Sequence, residues 1–546
     1  MNQAQTFLLN LKYLTLLAKC SFLSQTTLVA AYSTTSEPSK WSLPTGYDTG
    51  IKVYNPITKS KVPFIIQDKN HLKWYACGPT VYDSPHIGHA VCNVKLDIIR
   101  RIMQNYFNIH SVVVSSVTDI DDKIIAKANS IKEDYKTVAK KYELEYLEAM
   151  DKFDIIPPTR FTRVSEFIPH IQDFIKHLID TKQAYIGADN SVYFDVDAFP
   201  HYYKLWGKVD SSAKHPIKKS QLDFALWKVA KEGEPWFESV WSKGRPGWHI
   251  ECSAMASQFF GSKVDLHTGG IDLKFPHHEN EEAQSCAYHN TSQWVNYWLH
   301  TGHLRGRDGT KMSKSLGNFV TVKDFLKTHS PSQLRMMCLL SSYGADMDYN
   351  EETLSNARQV LERFRNFVTD CDNYMKQNIQ HGNVNTAQLI ETMEESKRRV
   401  YEALRDDFST NRALDTMLYL MSMTNSQLHN SSSEHTTPNT LLTLSAVSHF
   451  ISNTLSSFGL HLSPSVKTSS DGLGTKVNAV LDSAVKFRTQ VRKIAIDLKK
   501  TKVDAGPVLT KCDEFRDEMA ALGIQIKDQK AQATWQFKEG ANETHS

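Results

Sequence analysis

The sequence predicts an α/β protein: a parallel sheet interrupted by an insertion, then an α-helical bundle and a small C-terminal domain. Three observations carry this. Apolar, aromatic Leu72–Cys77 stops at Gly78-Pro79, a helical stretch follows, and His110–Val117 is apolar again. Strand, turn, helix, strand opens a parallel sheet. From Ser332 to about Ser456, apolar residues recur at three- and four-residue spacing, as in Val360, Phe364, Phe367 and Val368, which is the period of a helix. At about 100–200 residues per domain, 546 residues need several cores.

Taken in order, the first 36 residues carry no acid, two lysines (Lys12 and Lys19), many leucines and Ser/Thr clusters. An acid-poor, Ser-rich, loosely amphipathic start reads as a mitochondrial transit peptide over 1–36. Lys12 interrupts the apolar core a secretory signal would need. Regular structure is expected from about residue 48. Leu72–Cys77 is a buried strand, His86 to Arg101 a helix and His110–Val117 the next strand. Ligands of such sheets bind beyond the carboxyl ends of the strands, so the residues after Cys77 and Val117 are the first candidates. Residues of about 130–235 read as an insertion. It contains a charged helix (Lys132–Phe153) and an alternating strand (Ser191–Val196). The sheet resumes near Val264 and Trp298, and the segment 48–330 is the predicted catalytic domain. Residues 331–460 are the helical bundle, with a polar loop over Asn430–Thr440. A linker rich in Ser, Pro and Gly spans 463–475, and 476–546 is a last helical module.

Composition sets limits. With 40% hydrophobic and 23% charged residues, the chain is an ordinary globular one and not a wholly disordered or fibrous one. Lys+Arg less Asp+Glu is 63 − 60, or +3. Any polyanion partner must therefore be met by a local patch rather than by bulk charge. One patch stands out: Lys476–Lys511 holds nine Lys/Arg against three Asp/Glu. No run of about 18 apolar residues is present, so no membrane span is expected. The eight scattered cysteines form no C-x-x-C pair, which argues against a disulfide framework.

Three constellations carry chemistry. In His86-Ile87-Gly88-His89, two imidazoles three residues apart open a helix, and a helix N-terminus attracts anions. Alone, this is equally a pair of surface histidines. Lys311-Met312-Ser313-Lys314-Ser315 follows Gly302, Gly306 and Gly309. Its lysines make a mobile cationic clamp for phosphates, although a lone basic pentapeptide is more often plain surface. Cys77, Cys252, His277 and Glu281 are zinc-compatible donors. Glu281 follows His277 by four residues, on one helical face. On spacing alone, two buried cysteines and a surface His/Glu pair explain them as well.

Together, His86–His89 and Lys311–Ser315 resemble the paired motifs of class I aminoacyl-tRNA synthetases. Cys77-Gly78-Pro79-Thr80-Val81-Tyr82-Asp83, Val117 to Lys123, Gly247 to Met255 and Phe275 to Ser285 closely resemble cysteinyl-tRNA synthetases, and the likeness extends over about residues 48–540. The resemblance implies the class I nucleotide-binding sheet and a ligase that activates L-cysteine with ATP, accompanied by Mg²⁺, and transfers it to tRNA(Cys). It implies that His86, His89, Lys311 and Lys314 are catalytic, with His86, His89 and Lys314 on the ATP phosphates, and that Gly269, Gly270 and Asp272 also hold ATP. Gly78, Thr80, Thr118 and Trp248 would line the cysteine site. Cys77, Cys252, His277 and Glu281 would bind one Zn²⁺, and Trp535 would meet an anticodon base. Cysteine and serine differ by one atom, which shape separates poorly, whereas zinc prefers a thiolate. A monomer of the mitochondrial matrix, with no membrane partner, is expected. Ser116 stands where the family usually has Asn and Thr268 where it has Gly, and Ser341-Ser342-Tyr343-Gly344 lacks the usual His and Arg. Two alternatives remain: a cysteine ligase acting on a small amine, against which the 476–546 module speaks, and a noncatalytic RNA-binding paralogue, against which the intact candidate residues speak. The His-Glu-x-x-His helix of zinc hydrolases is absent.

Overall fold

The computed structural model describes residues 40–208, 216–306, 319–376, 384–430, 438–462, 473–529 and 532–537. The leader 1–36, most of the 463–475 linker, and Lys311 and Lys314 lie outside the described residues.

The chain enters through an antiparallel hairpin, β1 (Tyr47–Asn55) and β2 (Ser60–Ile66). Then come β3 (Leu72–Ala76), α1 (Ile87–Phe107) and β4 (Ser111–Val117). Next are α2 (Asp122–Ile131), α3 (Tyr135–Lys152), β5 (Arg160–Arg163) and α4 (Ile168–Asp180). A four-stranded antiparallel sheet follows: β6 (Ala184–Ile186), β7 (Val192–Phe194), β8 (Phe224–Val229) and β9 (Gly244–Pro246). The chain returns through α5 (Trp248–Phe260), β10 (Val264–Gly270), α6 (Glu279–His289) and β11 (Val295–Thr301). The central sheet is all parallel, in the order β11-β10-β3-β4-β5. The long jump from β4 and β5 to β10 is the topological consequence of the inserted sheet.

The insertion is smaller than the 130–235 expected from sequence. Arg160–Arg163 lies inside that range, yet it pairs with β4 as the fifth strand of the central sheet. Its polar composition suits a sheet edge, where one flank faces solvent, and hides it from a search for apolar runs.

Beyond the sheet come β12 (Leu304–Arg305), α7 (Val322–Leu326), α8 (Pro331–Leu339) and β13 (Met347–Asp348). The bundle is α9 (Glu351–Met375), α10 (Thr386–Arg405), α11 (Thr410–Asn430) and α12 (Pro438–Ser457). One apolar core runs from Ile51 and Trp74 through α1 to Leu414 and Ile451, so sheet and bundle are packed as one body. Polar ties cross the same boundary. Arg335 of α8 is buried, pairs with Asp97 of α1 at 2.5 Å, and donates to the carbonyls of Phe153 and Phe458. The Tyr343 hydroxyl donates to Asp407 at 2.9 Å, and the same carboxylate oxygen accepts the Tyr54 amide. Tyr343→Phe leaves that half-satisfied; we expect a loss of about 1.5–3 kcal/mol, read by urea unfolding.

The C-terminal module corrects a second expectation. Two helices, α13 (Leu473–Lys500) and α14 (Gly506–Ala521), are followed by an antiparallel hairpin, β14 (Ile524–Gln529) and β15 (Gln532–Phe537). The module is thus mixed rather than helical. Each strand is six residues of mostly polar composition, too short and too polar to stand out from the helices before it. Among the described residues, no helix is long and apolar enough to cross a membrane, and seven cysteines are free thiols.

Candidate metal and nucleotide site

The site forms beyond the carboxyl ends of β3, β4, β10 and β11. Cys77 directly follows β3, and Cys252 sits one turn into α5. His277 belongs to the turn Lys274–His278, and Glu281 to the first turn of α6. One ligand atom from each of these four lies within 4.8 Å of every other. The two sulfurs are 3.8 Å apart, and Cys77 Sγ is 3.5 Å from Glu281 Oε1. With Zn–S bonds near 2.3 Å, the edge of a tetrahedron between two thiolates is about 3.8 Å. The donor set and its spacing therefore fit zinc. A second grouping (Cys77, His267, His278 and Glu281) shares two of the donors.

The surroundings orient these donors. Glu281 Oε1 lies 2.9 Å from His277 Nε2, and its Oε2 lies 2.9 Å from His267 Nε2. His277 Nδ1 is 2.9 Å from His249 Nδ1. Metal ligands characteristically have such partners behind them, and the partners set tautomer and direction. His267 and His249 were not singled out in the sequence, although His249 lies inside Gly247 to Met255 and His267 stands just before Gly269 and Gly270. The legible signal for His267 was strand alternation, which puts it on the same face of β10 as Gly269. His267 pairs with Tyr75 in one neighbouring strand and Trp298 in the other, with the Trp298 ring stacked on it at 4.5 Å.

The electrostatics follow from burial and charge. Burial pushes the Cys77 thiol up, whereas the hydrogen bond from Cys77 draws Cys252 down to about 6. Burial opposes ionisation of Glu281, but His267 and His277 hold it well below the carboxylate range. Burial would likewise lower His277, but Glu281 and Cys252 carry it up to about 10. Burial keeps His249, His278 and His300 low. Cys252 and Glu281 are thus the anionic donors, Cys77 and His277 hold their protons, and His249, His278 and His300 stay neutral around them, which suits a dication that must displace protons to bind.

The cysteine-side residues cluster around the same point. Gly78 has no room for a side chain: a Cβ would come within 1.7 Å of the Ser116 carbonyl oxygen. The Gly78 amide donates to Ser116 Oγ at 3.0 Å, and that hydroxyl lies 3.7 Å from Cys252 Sγ. Ser116 is thus built into the wall. Thr80 and Thr118 bridge side by side past the strand ends. The Thr118 hydroxyl donates to buried Glu251 at 3.2 Å, a carboxyl pushed up by burial and then by Cys252. Glu251 was also missed, because a lone charged residue on an otherwise apolar helix reads as surface. Trp248 is half-buried and stacks on His277 at 4.3 Å, so it backs the ligand ring rather than filling a core. Thr268 accepts the Trp74 indole N–H at 2.8 Å.

His86 and His89 open α1 with their rings stacked at 3.9 Å and only 19° apart. His89 Nδ1 accepts the His86 amide at 3.4 Å, so the neutral ring carries its proton on Nε2, as a donor. The Ile87 amide donates to Val320 and the Val322 amide to Pro85, which seats Phe319–Val322 against the start of α1. Gly269 and Gly270 end β10, and a Cβ on Gly269 would meet the His278 ring at 2.9 Å. Asp272 is exposed two residues on. Trp535, on β15, donates its indole N–H to Asp482 of α13 at 2.8 Å and remains partly exposed, far along the chain from this cluster.

Comparison with known proteins agrees with this geometry. The family profile described as the catalytic domain of class I tRNA synthetases (C) matches residues 63–359. The "probable cysteine–tRNA ligase, mitochondrial" of Xenopus tropicalis is 41% identical over 528 residues, covering 92% of both chains. The cytoplasmic cysteine–tRNA ligase of Dictyostelium discoideum is 37% identical, over 94% of this chain and 82% of that protein. Among solved structures, methionyl-tRNA synthetase of Mycobacterium tuberculosis bound by methionyl-adenylate superposes with a TM-score of 0.55 at 13% identity. It covers 71% of this chain and 92% of that one, a likeness of fold alone.

Proposed function

The chain belongs to the cysteine–tRNA ligase family of class I synthetases, and from that premise we propose that it joins L-cysteine to tRNA(Cys) in two steps. In the first, a carboxylate oxygen of cysteine attacks the α-phosphorus of ATP, the bond to the bridging oxygen breaks, and pyrophosphate leaves. In the second, a terminal ribose hydroxyl of the tRNA attacks the adenylate carbonyl and AMP leaves with the displaced bond. The observation that carries the substrate assignment is the four-donor cluster of Cys77, Cys252, His277 and Glu281.

Those four residues would hold Zn²⁺, which supplies a thiolate-selective Lewis acid and so separates cysteine from serine. His267 and His249 hold Glu281 and His277 in direction. Gly78 lets the β3 backbone pass against β4. Thr80 and Thr118 offer hydroxyls to the ammonium and carboxylate of the amino acid, and Trp248 keeps the His277 ring in place beside it. His86 and His89 donate to the α-phosphate as charge builds on it, and Gly269, Gly270 and Asp272 take the nucleoside. The Lys311 and Lys314 roles on the pyrophosphate, with Mg²⁺ arriving on ATP, rest on the motif itself. Catalysis is then positioning and electrostatics, without a covalent enzyme intermediate. The domain reading is part of this proposal: a bundle along the tRNA, and a basic 476–546 module with Trp535 at the anticodon. So is action as a monomer in the mitochondrial matrix, which the composition of residues 1–36 and the mitochondrial relative support.

Two assays test it. Purified protein is expected to catalyse cysteine-dependent exchange of pyrophosphate into ATP, and to charge tRNA(Cys). Exchange without charging would favour the small-amine ligase; neither activity would leave the noncatalytic paralogue.

A further inference from the structure

The insertion carries a short strap that is tied to the metal-ligand helix. The Glu279 carboxylate accepts three consecutive backbone amides: Lys204 and Leu205 at 2.7 Å and Trp206 at 2.9 Å. The Tyr202 hydroxyl donates to Asn280, and Lys204 Nζ donates to Glu282 at 2.8 Å. Glu279, Asn280 and Glu282 flank Glu281 on α6, so the strap and the ligand are held by one turn of helix. At the end of the strap, the Trp206 ring stacks on Phe275, centroids 5.6 Å apart and planes within 20°. Lys274 Nζ lies 5.7 Å from the Trp206 ring centre, with Lys59 as a neighbouring cation. Trp206 nevertheless stays 46% exposed. Phe275 lies two residues before His277 and three after Asp272, which places the pair beside the reacting centre.

An exposed indole, held by the strap and stacked on Phe275 with the Lys274 ammonium near its ring, fits a flat, anionic ligand. Aromatic stacking plus cations is how unpaired nucleotides are bound. The second step requires the unpaired 3′ end of an RNA to come to this place, because its terminal ribose must touch the adenylate carbonyl. We propose that Trp206, backed by Phe275 and flanked by Lys274, is the stacking platform for the 3′-terminal unpaired bases of the tRNA. This rests on the charging reaction above. The strap fixes the ring in advance, so little ordering is left for the moment of binding.

The test separates the two steps. Trp206→Ala is expected to raise the KM for tRNA(Cys) in charging by about five- to a hundredfold, while cysteine-dependent exchange keeps its kcat and its KM for ATP within about twofold. Trp206→Phe, which keeps a stacking face, restores most of the loss. Lys274→Ala raises the tRNA KM less, and the effect shrinks at high salt. In filter binding, tRNA trimmed of its unpaired 3′ nucleotides binds wild type and Trp206→Ala equally. An unchanged tRNA KM overturns the platform, as does an equal loss for trimmed and full-length tRNA. A rise in the KM for ATP in exchange would reassign the ring to the nucleotide. If the wild-type protein charges no tRNA, the charging assignment itself has failed.

Discussion

Replacing Cys252 by serine is expected to strip the zinc from the protein and lower kcat/KM for cysteine in pyrophosphate exchange by more than about 100-fold. Removing even a residue that only supports a metal ligand typically costs 10–100-fold, and Cys252 is itself one of the proposed donors, 3.8 Å from the Cys77 sulfur. The substitution is small, replacing one sulfur by one oxygen at a buried position, so packing survives while the donor changes from soft to hard. The surviving enzyme should also discriminate less between cysteine and serine, because what remains of the pocket distinguishes them by shape alone. Cys77→Ser should show the same pair of losses from the other side of the cluster. Metal content by mass spectrometry and exchange with each amino acid read both effects. If bound zinc and cysteine preference persist in both variants, the metal does not set specificity. Full-length tRNA should still bind Cys252→Ser, since the bundle and the C-terminal module proposed to hold it lie elsewhere in the chain.

How much of this was legible in the sequence depends on what each residue contributes locally. β3 and β4 were, because Leu72–Ala76 and Ser111–Val117 are rich in β-branched and aromatic residues. β5 was not, since Arg160-Phe161-Thr162-Arg163 is held by pairing to β4 and not by its own burial pattern. The terminal hairpin failed for the same reason, as its strands are defined by each other. In the site, the four donors come from three segments up to 204 residues apart in the Cys77–Glu281 contact, and no local period joins them. They were found through resemblance to a family. His249 and Glu251 were within Gly247 to Met255, and His267 beside Gly269, and all three were still missed. Their roles arise from contacts across elements: His267 across the sheet to Glu281, His249 to His277, and Glu251 to Thr118. A polar residue in a buried strand is conspicuous only once its partner is in view.

The second large effect concerns the stacked pair at the start of α1. His89→Ala is expected to reduce the kcat of pyrophosphate exchange by about 10²–10³, the usual cost of removing one donor aimed at developing charge, with the KM values for ATP and cysteine changed only a few-fold. The reason lies in when the interaction is made. Negative charge on the α-phosphate oxygens peaks as the carboxylate attacks, so a donor held there contributes more in the transition state than in the ground state. The structure orients that ring in advance: the His86 amide donates to Nδ1 of His89, and the two rings lie flat against each other at 3.9 Å. His86→Ala removes the stacking partner, a second imidazole and its half of the capping box, yet keeps the backbone amide that holds Nδ1 of His89. The double variant should cost less than the sum of the two, since the rings act as a unit. Zinc content should be unaffected in all three, which distinguishes this defect from loss of the metal site. A loss confined to the KM for ATP would make the histidines ground-state contacts. A kcat within about tenfold of wild type in the double variant would place the charge stabilisation elsewhere at the site.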